Sequence, residues 1–337
     1  MILGPVTACS SVPLFSRAAT ELGVPTTQLD ISGAGPNVNV QRVYQRVWRA
    51  RPYRLNKFSA HVVTVARSQQ VDVILALGNA PLTTSALQQL ARDGVKVINF
   101  SSDDPWNAAN RSRWRIATLP HYAAVFTPRT ANLAELRAAG CSHVAWVPFA
   151  YDPTLHRRAT PEESAAEQRT ADVVFIGGCD SDRIPYLKAV CKSRSSVALY
   201  GGYWDRNPTL RRFHAGRLMP DEMPAILARA KVSICLVRRA NRDGHVMRTY
   251  EEPAMGSCVA MEDTPDHRAL FPDPAAEPCF FRTPNELAAC VNRLCDEDDL
   301  RQAVAATQHD AVVGAANRYS DRLRDMLHQT AALPEPS

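Results

Sequence analysis

The chain has 337 residues, of which 45% are hydrophobic and 22% charged, a composition typical of a soluble enzyme with room for two domains. It contains no apolar run long enough for a membrane-spanning helix, and the apolar start Met1–Val6 lacks a basic leader, so we expect a buried first strand there. The net charge of +5 suits anionic ligands such as nucleotides, but it is too small to predict stable binding of nucleic acid.

Four apolar runs in the first half predict strands that are buried on both faces. A helix begins at Thr83 or Thr84 and closes at Gly94, and another follows Thr130. Such alternation predicts a parallel sheet with helices on both faces. The four strands are Val71–Leu77, Val95–Phe100, Ala123–Thr127 and His143–Val147.

A polar stretch, Tyr151–Thr170, interrupts the alternation and is typical of a linker. The strand pattern then restarts, and from Pro284 onward the chain has a helical pattern almost to its end. The second series of strands is Asp172–Ile176, Val197–Tyr200, Val232–Leu236, Ser257–Ala260 and Cys279–Phe281.

These patterns predict an α/β fold of two tandem Rossmann-like, doubly wound domains that face each other across a cleft. We expect an N-terminal domain in residues 1–150 and a C-terminal domain in residues 151–310. Residues 311–337 would form a helix that packs back on the first domain, followed by a short tail. Ligands of such sheets bind at the carboxyl ends of the strands.

The nine cysteines are scattered singly and form no CxxC pair, which favours a reducing compartment, by default the cytoplasm. Residues 40–48 have apolar positions at helical spacing, with Arg42, Arg46 and Arg49 on the other side. This pattern favours an amphipathic helix with a solvated face over one that faces the acceptor or a membrane surface, so a peripheral membrane contact stays open.

The densest group of polar side chains runs from Asn241 to Glu251, after a buried strand and the pair Arg238-Arg239. It opens a predicted helix that starts near Val246. A helix start offers free N–H groups to phosphate, and Arg248 adds a forked cation. Glu251 can accept two hydroxyl hydrogen bonds, as from a ribose diol. The alternative is a surface loop with solvated charges.

The string from Arg238 to Gly256 closely resembles a signature of CgeB-like glycosyltransferases, the spore-maturation group with the two-Rossmann "B" fold, which is related to the family-one and family-four transferases. Ser102-Asp103-Asp104-Pro105-Trp106 resembles the D-D-P-[FW] element of that family. The resemblance covers most of the chain from about Val71 and is strongest over 172–287. It implies a glycosyltransferase, hexosyltransferase-like, that takes a nucleotide-sugar donor and needs no metal and no cofactor.

The resemblance also implies roles for particular residues. Glu251 would bind the donor ribose, and Asp243, separated from it by seven residues in the motif, would lie near the sugar, with Asp in place of the usual Glu. Retention of anomeric configuration rests on that spacing. Glu252 replaces an apolar residue of the family, and we expect it to face solvent. The implied donor-binding residues are Gly177, Gly178, Arg183, Gly202, Arg238, Asn241, Arg248, Thr249 and Glu251.

Catalytic candidates come from both halves of the chain: Asp103, Asp104, Asp243 and His245. Adjacent acids such as Asp103 and Asp104 point in different directions, so we expect no metal site there. One of them would orient or deprotonate an acceptor hydroxyl, or cap a helix that starts near Trp106. The catalytic role of His245 is implied by the resemblance alone.

Gly177-Gly178 would lie beneath the donor diphosphate, and the turn Gly201-Gly202-Tyr203-Trp204 would border the nucleobase, although both can equally be ordinary turns. Two other classes of function stay open. One is an enzyme of the same fold, a nucleotide-sugar epimerase or, with less support, a phosphorylase. The other is an inactive nucleotide-binding module. The sequence does not identify the sugar, the base, the acceptor or the oligomeric state.

Overall fold

A computed structural model describes residues 1–34, 52–108, 111–165 and 171–331 of the chain. It divides into two compact units. The first unit is made of Met1–Pro148, Ala240–Arg242 and Tyr319–Ser337, and the second of Phe149–Arg239 and Asp243–Arg318.

The first unit is built on a sheet of six parallel strands in the order β2-β1-β3-β4-β5-β6. The middle strands β3, β4 and β5 are almost entirely buried because helices cover both faces. The strands are β1 Ile2–Gly4, β2 Gln28–Asp30, β3 Val73–Leu77, β4 Lys96–Phe100, β5 Ala124–Thr127 and β6 Val144–Trp146.

Helices of the first unit connect these strands, and the helix Tyr319–Ala331 joins them from the far end of the chain. The ring of Tyr319 meets the ring of Phe15 edge-on at 5.1 Å between centroids. Lys96 Nζ donates to the carbonyl of Thr330 at 3.3 Å. The earlier helices are α1 Ser11–Glu21, α2 Leu55–Ser68, α3 Thr84–Arg92, α4 Arg113–Thr118 and α5 Thr130–Ala138.

The second unit is built on a sheet of five parallel strands in the order β11-β10-β9-β7-β8. The three inner strands are buried along their whole length. The strands are β7 Val173–Ile176, β8 Val197–Tyr200, β9 Val232–Cys235, β10 Val259–Glu262 and β11 Phe280–Phe281.

One helix of the second unit precedes its first strand, and the others lie between or after the strands. In chain order they are α6 Pro161–Ala165, α7 Ile184–Ser193, α8 Met223–Ala228, α9 Arg248–Ala254, α10 Pro265–Leu270, α11 Pro284–Asp296 and α12 Asp298–Val313; the helix Tyr319–Ala331 of the first unit is α13. None of the helices in the described residues combines the length and apolar character that crossing a bilayer requires.

The predicted strands agree with the observed ones to within two residues at each end. Within the described part of the chain, one strand was missed: β2 has exposed or half-buried side chains and therefore no apolar run. The helix α3 begins where predicted, because the Thr83 side chain accepts a hydrogen bond from the N–H of Ala86 at 3.2 Å. The amphipathic stretch at residues 40–48 lies outside the described residues.

The last helix starts at Tyr319 and not at Ala311, since α12 continues through Ala311 and ends at Val313. Asn317 explains the break: its side-chain amide donates to the carbonyls of Ala311 and Val312, at 3.4 and 3.2 Å, and so satisfies the end of α12. The described residues around Trp106 do not begin a helix either. There, Asp104 accepts the N–H of Trp106 in a turn.

Candidate functional site

The loops that follow the strands of the second sheet meet at one edge, because all five strands are parallel. Gly177-Gly178 follows β7, and Gly201-Gly202 follows β8. The segment after β9 leads to Arg238, and Asp263 follows β10. The structure thus gathers the predicted glycine loops and the region before α9 at the carboxyl edge of one sheet.

The two glycine loops are interlocked. Gly201 has a φ of +132°, and a Cβ there would overlap the carbonyl of Gly177. The Gly202 carbonyl accepts the N–H of Cys179 at 2.9 Å. A Cβ on Gly202 would meet no atom within 4 Å. Glycine is therefore required at position 201 by close backbone approach, whereas position 202 is open.

The two aromatic residues after these glycines differ in exposure. Trp204 is fully buried and donates from its indole N–H to the Gly177 carbonyl at 2.7 Å, so it holds the two loops together. Tyr203 is 57% exposed and has a left-handed φ of 71°. The guanidinium of Arg206 lies over its ring at 4.8 Å from the centroid. Tyr203 is thus the aromatic of this turn that faces outward.

Arg183 lies directly beneath the first glycine loop, just before α7. Its guanidinium donates to the carbonyls of Gly178 at 3.2 Å and Leu236 at 3.4 Å, and it lies over the Phe175 ring. Burial lowers the pKa of Arg183, and the positive charge of Arg238 adds to that effect. A half-buried guanidinium held by main-chain carbonyls is suited to an anionic ligand.

Asp243 lies within electrostatic range of that guanidinium and partly offsets the lowering of its pKa. It is 8% exposed, and its N–H donates to the carbonyl of Arg238 at 3.3 Å. The structure therefore brings Arg183, Arg238 and Asp243 to the same edge of the sheet.

Arg248 opens α9 and contacts two acids of the same helix. It forms a close ion pair with Glu251, and its Nε lies 3.8 Å from a carboxyl oxygen of Glu252. The side chain of Arg248 is 30% exposed, whereas those of Glu251 and Glu252 are 2% and 0% exposed. Burial alone would lower the pKa of Arg248, but the two acids outweigh it and the pKa is raised.

Glu252 does not face solvent, as the sequence had suggested. Helix α9 packs against β9, β10 and α12, and Glu252 is fully buried. Burial raises the pKa of its carboxyl group to about 8. Glu252 is therefore largely protonated at neutral pH.

A histidine that sequence reasoning left unassigned lies beside Glu251. His156 is 3% exposed, and its Nδ1 accepts the N–H of Asp152 at 2.9 Å. Its Nε2 lies 3.6 Å from Glu251. Because Nδ1 is an acceptor, the proton sits on Nε2 and points towards the carboxylate. The only sequence signal was the local pair Asp152 and His156, which is typical of a turn.

His245 is 2% exposed and engaged on both ring nitrogens. Nδ1 lies 2.8 Å from Asp266, and Nε2 accepts the N–H of Phe149 at 3.3 Å. These contacts orient the imidazole firmly and leave neither nitrogen idle. As a catalytic candidate, His245 would first have to release the N–H of Phe149.

Thr249 is completely buried and organises the start of α9. Its hydroxyl accepts the N–H of Val246 at 3.1 Å and lies 2.9 Å from Nε2 of His267. Burial lowers the pKa of His267 to about 4, so that imidazole is neutral. These contacts make Thr249 a support for Arg248 and Glu251 rather than a direct donor ligand.

Two predicted residues take part in contacts of the first unit. The Asn241 side chain is 1% exposed, accepts from the amide of Asn107 at 2.7 Å and donates to Asp103 at 3.4 Å. Asp104 is 1% exposed and accepts from the guanidinium of Arg242 at 2.7 and 3.0 Å. Within the first unit, Asn241 thus contacts the aspartate pair.

Asp104 accepts more hydrogen bonds than is usual for a carboxylate that must exchange a proton during catalysis. Besides Arg242, it accepts the N–H of Trp106 and the amide of Asn132, at 2.9 and 3.0 Å. Burial alone would raise its pKa, but these hydrogen bonds prevail and the pKa is lowered. Asp103 is half-buried, which leaves it the better placed of the two for an acceptor. Among the described residues, no three His, Cys, Asp or Glu side chains gather to hold a metal ion.

Comparison with known proteins gives a family match over part of the chain and structural matches over nearly all of it. Residues 183–328 match the family model described as glycosyl transferase-like. No curated protein sequence matches the chain. Sucrose-phosphate synthase from Thermosynechococcus elongatus is 13% identical, with a TM-score of 0.71 over 99% of each chain.

Two further solved structures match at similar coverage. Anabaena HepE in complex with UDP-glucose is 13% identical, with a TM-score of 0.65 over 98% of this chain and 99% of that one. A putative UDP-N-acetylglucosamine 2-epimerase from Listeria monocytogenes is also 13% identical, with a TM-score of 0.55 over 100% of this chain and 98% of that one.

These comparisons confirm the predicted fold class. The chain has the α/β fold of GT-B glycosyltransferases, with two Rossmann-like domains, each on a parallel sheet. The segment that matches the glycosyl transferase-like family contains Arg183, Asp243, Arg248 and Glu251. Structural matches at 10–13% identity support the fold alone, so the function has to be argued from the residues of the site.

Proposed function

We propose that the chain is a glycosyltransferase that moves a sugar, specifically a hexose, from a nucleoside-diphosphate sugar to an acceptor. The observation that carries this proposal is the carboxyl edge of the second sheet, where two interlocked glycine loops lie with Arg183 and with the Arg248–Glu251 pair. This edge falls within the segment that matches the glycosyl transferase-like family. The CgeB-like assignment is the finer form of the same proposal.

In this mechanism the second unit holds the donor. Cys235 lies within electrostatic range of both arginines, which supports a shared site for them at the end of β9. Arg183 and Arg248 would bind the diphosphate and stabilise the charge that develops on it as the glycosidic bond breaks. Glu251 would accept hydrogen bonds from the ribose hydroxyls, and His156 would orient that carboxylate.

Asp243 is the group proposed to lie near the transferred sugar. Its seven-residue separation from Glu251 supports a retaining outcome, and its proximity to Arg183 supports a place beside the diphosphate. In the first unit, Asp103 would orient the acceptor hydroxyl, with Asp104 and Arg242 as its rigid support. No step in this scheme needs a metal, because arginine side chains supply the positive charge.

We place the reaction in the cytoplasm. The support is the state of the cysteines: all nine are free thiols, and seven of them are buried. Buried free thiols suit a reducing compartment.

The test begins with binding of UDP, GDP, ADP, TDP and CMP to the purified chain, measured by calorimetry. We expect one diphosphate to bind more tightly than the rest. Hydrolysis of the matching nucleotide sugars then identifies the sugar. The proposal fails if no nucleotide binds, which would favour an inactive module.

A nucleotide-sugar epimerase is the second candidate, favoured by the match to the putative UDP-N-acetylglucosamine 2-epimerase over the whole chain. The higher TM-score of the sucrose-phosphate synthase match favours the transferase. Product analysis separates the two. An epimerase converts its nucleotide sugar into a stereoisomer without an acceptor, whereas a transferase releases the nucleoside diphosphate.

A further inference from the structure

Glu252 is a buried acid that the proposed mechanism does not use. It follows Glu251 on α9 and is fully buried, and its carboxyl group lies against the inner side of Arg248, 3.8 Å from Nε. Arg248 therefore stands between two acids, one tightly paired with it and one behind it. An acid at this position competes for the guanidinium that the donor diphosphate would need.

The surroundings of Glu252 do little to compensate a negative charge. Within the described residues no hydrogen bond of good geometry reaches either carboxyl oxygen. Ser233 on β9 is close enough to interact with it, but its hydroxyl lies 3.0 Å from that of Ser257 and shares a hydrogen bond with it. The thiol of Cys235 on the same strand lies within electrostatic range, and burial raises its pKa, so it stays neutral.

Other charged or titratable groups approach α9 from neighbouring elements. His156 lies 3.6 Å from Glu251, and its proton points at that carboxylate. Nδ1 of His309 on α12 lies 3.0 Å from the carbonyl of Pro253. The guanidinium of Arg158 lies near Gly256, just beyond the end of α9. Among the ion pairs of the described residues, Arg248 is the cation that contacts Glu252 directly.

The charge balance of this group changes with the state of Glu252. Burial raises the pKa of Glu252 to about 8, so near neutral pH its carboxyl group is mostly protonated and uncharged. The positive charge of Arg248 is then balanced by the negative charge of Glu251 alone. Above that pH a second negative charge appears beside the same guanidinium. A bound diphosphate would then face a group with a net negative charge.

We propose that Glu252 is a positioning residue that competes with the donor diphosphate for Arg248: its protonated form leaves the guanidinium to the donor, and its ionised form holds the guanidinium back. This inference rests on the proposed function, since it takes Arg248 as the diphosphate ligand. Donor binding is then coupled to the protonation of Glu252, and the coupling is reciprocal.

The size of the coupling follows from the short distance. Two unit charges about 4 Å apart interact strongly when they are shielded from bulk water. Relaxation and solvent reduce this energy, so we expect an effect of about tenfold on donor affinity. The terminal phosphate of a nucleoside diphosphate titrates near pH 6 and is already ionised where Glu252 changes state.

The test is calorimetric binding of UDP, GDP and ADP at about pH 7 and about pH 9.5, on the full chain and on Glu252→Gln. The parent should bind its preferred nucleotide about tenfold more weakly at the higher pH. In Glu252→Gln the ratio between the two pH values should fall below about twofold, because the amide does not ionise. Glu162→Gln, an exposed acid of the same unit, should keep the parental ratio.

A second measurement needs only the parent and so does not depend on how the variant folds. Binding near pH 8.5 in two buffers of different ionisation enthalpy reports the protons exchanged. We expect an uptake of roughly half a proton or more per nucleotide bound, since binding favours protonated Glu252. A merely structural acid would show no such uptake.

The outcomes separate this inference from the proposed function. Binding with equal pH ratios in parent and Glu252→Gln, or binding without proton uptake, overturns the role of Glu252 and leaves the donor site standing. The absence of nucleotide binding at both pH values overturns the proposed function and the role of Glu252 with it.

Discussion

Polar and charged residues lie at the carboxyl edges of both sheets, but their burial and their hydrogen-bond partners differ. The carboxyl edge of the first unit's sheet is called the first edge below, and that of the second unit's sheet the second edge. In the first unit, Asp104 is saturated by Arg242, Asn132 and a main-chain N–H. Arg115 of the same unit is 4% exposed and hydrogen-bonded to the Ser101 hydroxyl. In the second unit, Arg183 is half-buried and holds only main-chain carbonyls among the hydrogen bonds of the described residues. The same topology thus supports a fully hydrogen-bonded carboxylate, Asp104, in one unit and a cationic, glycine-lined edge in the other; in the first unit one guanidinium nitrogen of Arg115 is buried without a hydrogen-bond partner among the described residues.

This difference indicates which edge is prepared for a small anion. A saturated network must lose hydrogen bonds before it can bind a ligand, which costs about 1–3 kcal/mol for each buried group left unpaired. Arg183 has main-chain carbonyls as its partners and no carboxylate in ion-pair contact among the described residues, so its positive charge is not neutralised. We therefore expect changes at the second edge to affect donor binding, and changes at the first edge to affect stability or use of the acceptor while leaving donor binding unchanged.

The largest effect is expected from Arg248→Ala, which removes a cation of the second edge. Donor-dependent turnover should fall about 10²- to 10³-fold, the usual result of losing one group that stabilises developing charge. Because Glu251 loses its partner, some stability is lost as well. Arg248→Lys should restore stability more than activity, since an ammonium lacks the fork.

The control for this prediction is Arg293→Ala, which removes an exposed arginine of the same unit that pairs with Glu297. It should leave turnover within about twofold of the parent. Parental kinetics in Arg248→Ala, measured on a folded sample, would refute the assignment of the second edge to the donor.

Gly201→Ala tests the interlocked loops. The new Cβ would overlap the Gly177 carbonyl at a φ of +132°, so we expect a loss of about 2–4 kcal/mol in the free energy of unfolding. Gly202→Ala is the matched control, since its Cβ meets nothing within 4 Å, and it should cost less than about 1 kcal/mol. Urea unfolding measures both. Equal losses would show that the loops are not held by this close approach.

Asp104→Asn tests the first edge. Loss of the charge paired with Arg242 should lower the free energy of unfolding by about 2 kcal/mol and leave nucleotide affinity unchanged. The folded-state pKa of Asp104 is lowered, so its stabilisation is present above its ordinary pKa and is lost as the pH falls through the folded-state value. The difference between parent and variant should therefore shrink below about pH 4.

Asp103→Asn is the variant to compare with Asp104→Asn. Asp103 is half-buried, so its loss should cost less stability than that of Asp104. If Asp103 orients the acceptor, transfer falls while donor binding persists. A larger loss of transfer in Asp104→Asn than in Asp103→Asn, at equal stability, would reverse the roles given to the two acids.

The smallest effect is expected from Tyr203→Ala. The exposed ring at the second edge offers a flat face, and stacking of a base on such a ring is worth about 1–3 kcal/mol. One face is taken by Arg206, so we expect the lower end, a three- to tenfold weaker nucleotide affinity with unchanged stability. Tyr203→Phe should bind as the parent does. Unchanged affinity in Tyr203→Ala would move the base elsewhere.

Much of the fold was predictable from the chain itself. The inner strands are short, largely apolar runs, because a strand covered on both faces admits few polar side chains. The turn after β8 and the string around Arg248 were also recognisable, since they depend on residues close together in sequence. Local backbone preference and side-chain periodicity carry this kind of information.

The partners of the charged side chains were decided only by the tertiary structure. Arg242 meets Asp104 across 138 positions, and Glu251 meets His156 from a distant loop. Glu252 was expected to face solvent because it is an acid where the resembling family has an apolar residue, yet the packing of α9 in the second unit buries it completely. The sequence alone determined which residues form the strands, the glycine loops and the start of α9. The state of each charge depends on desolvation and on partners remote in sequence, which exist only once the two sheets and their helices have assembled.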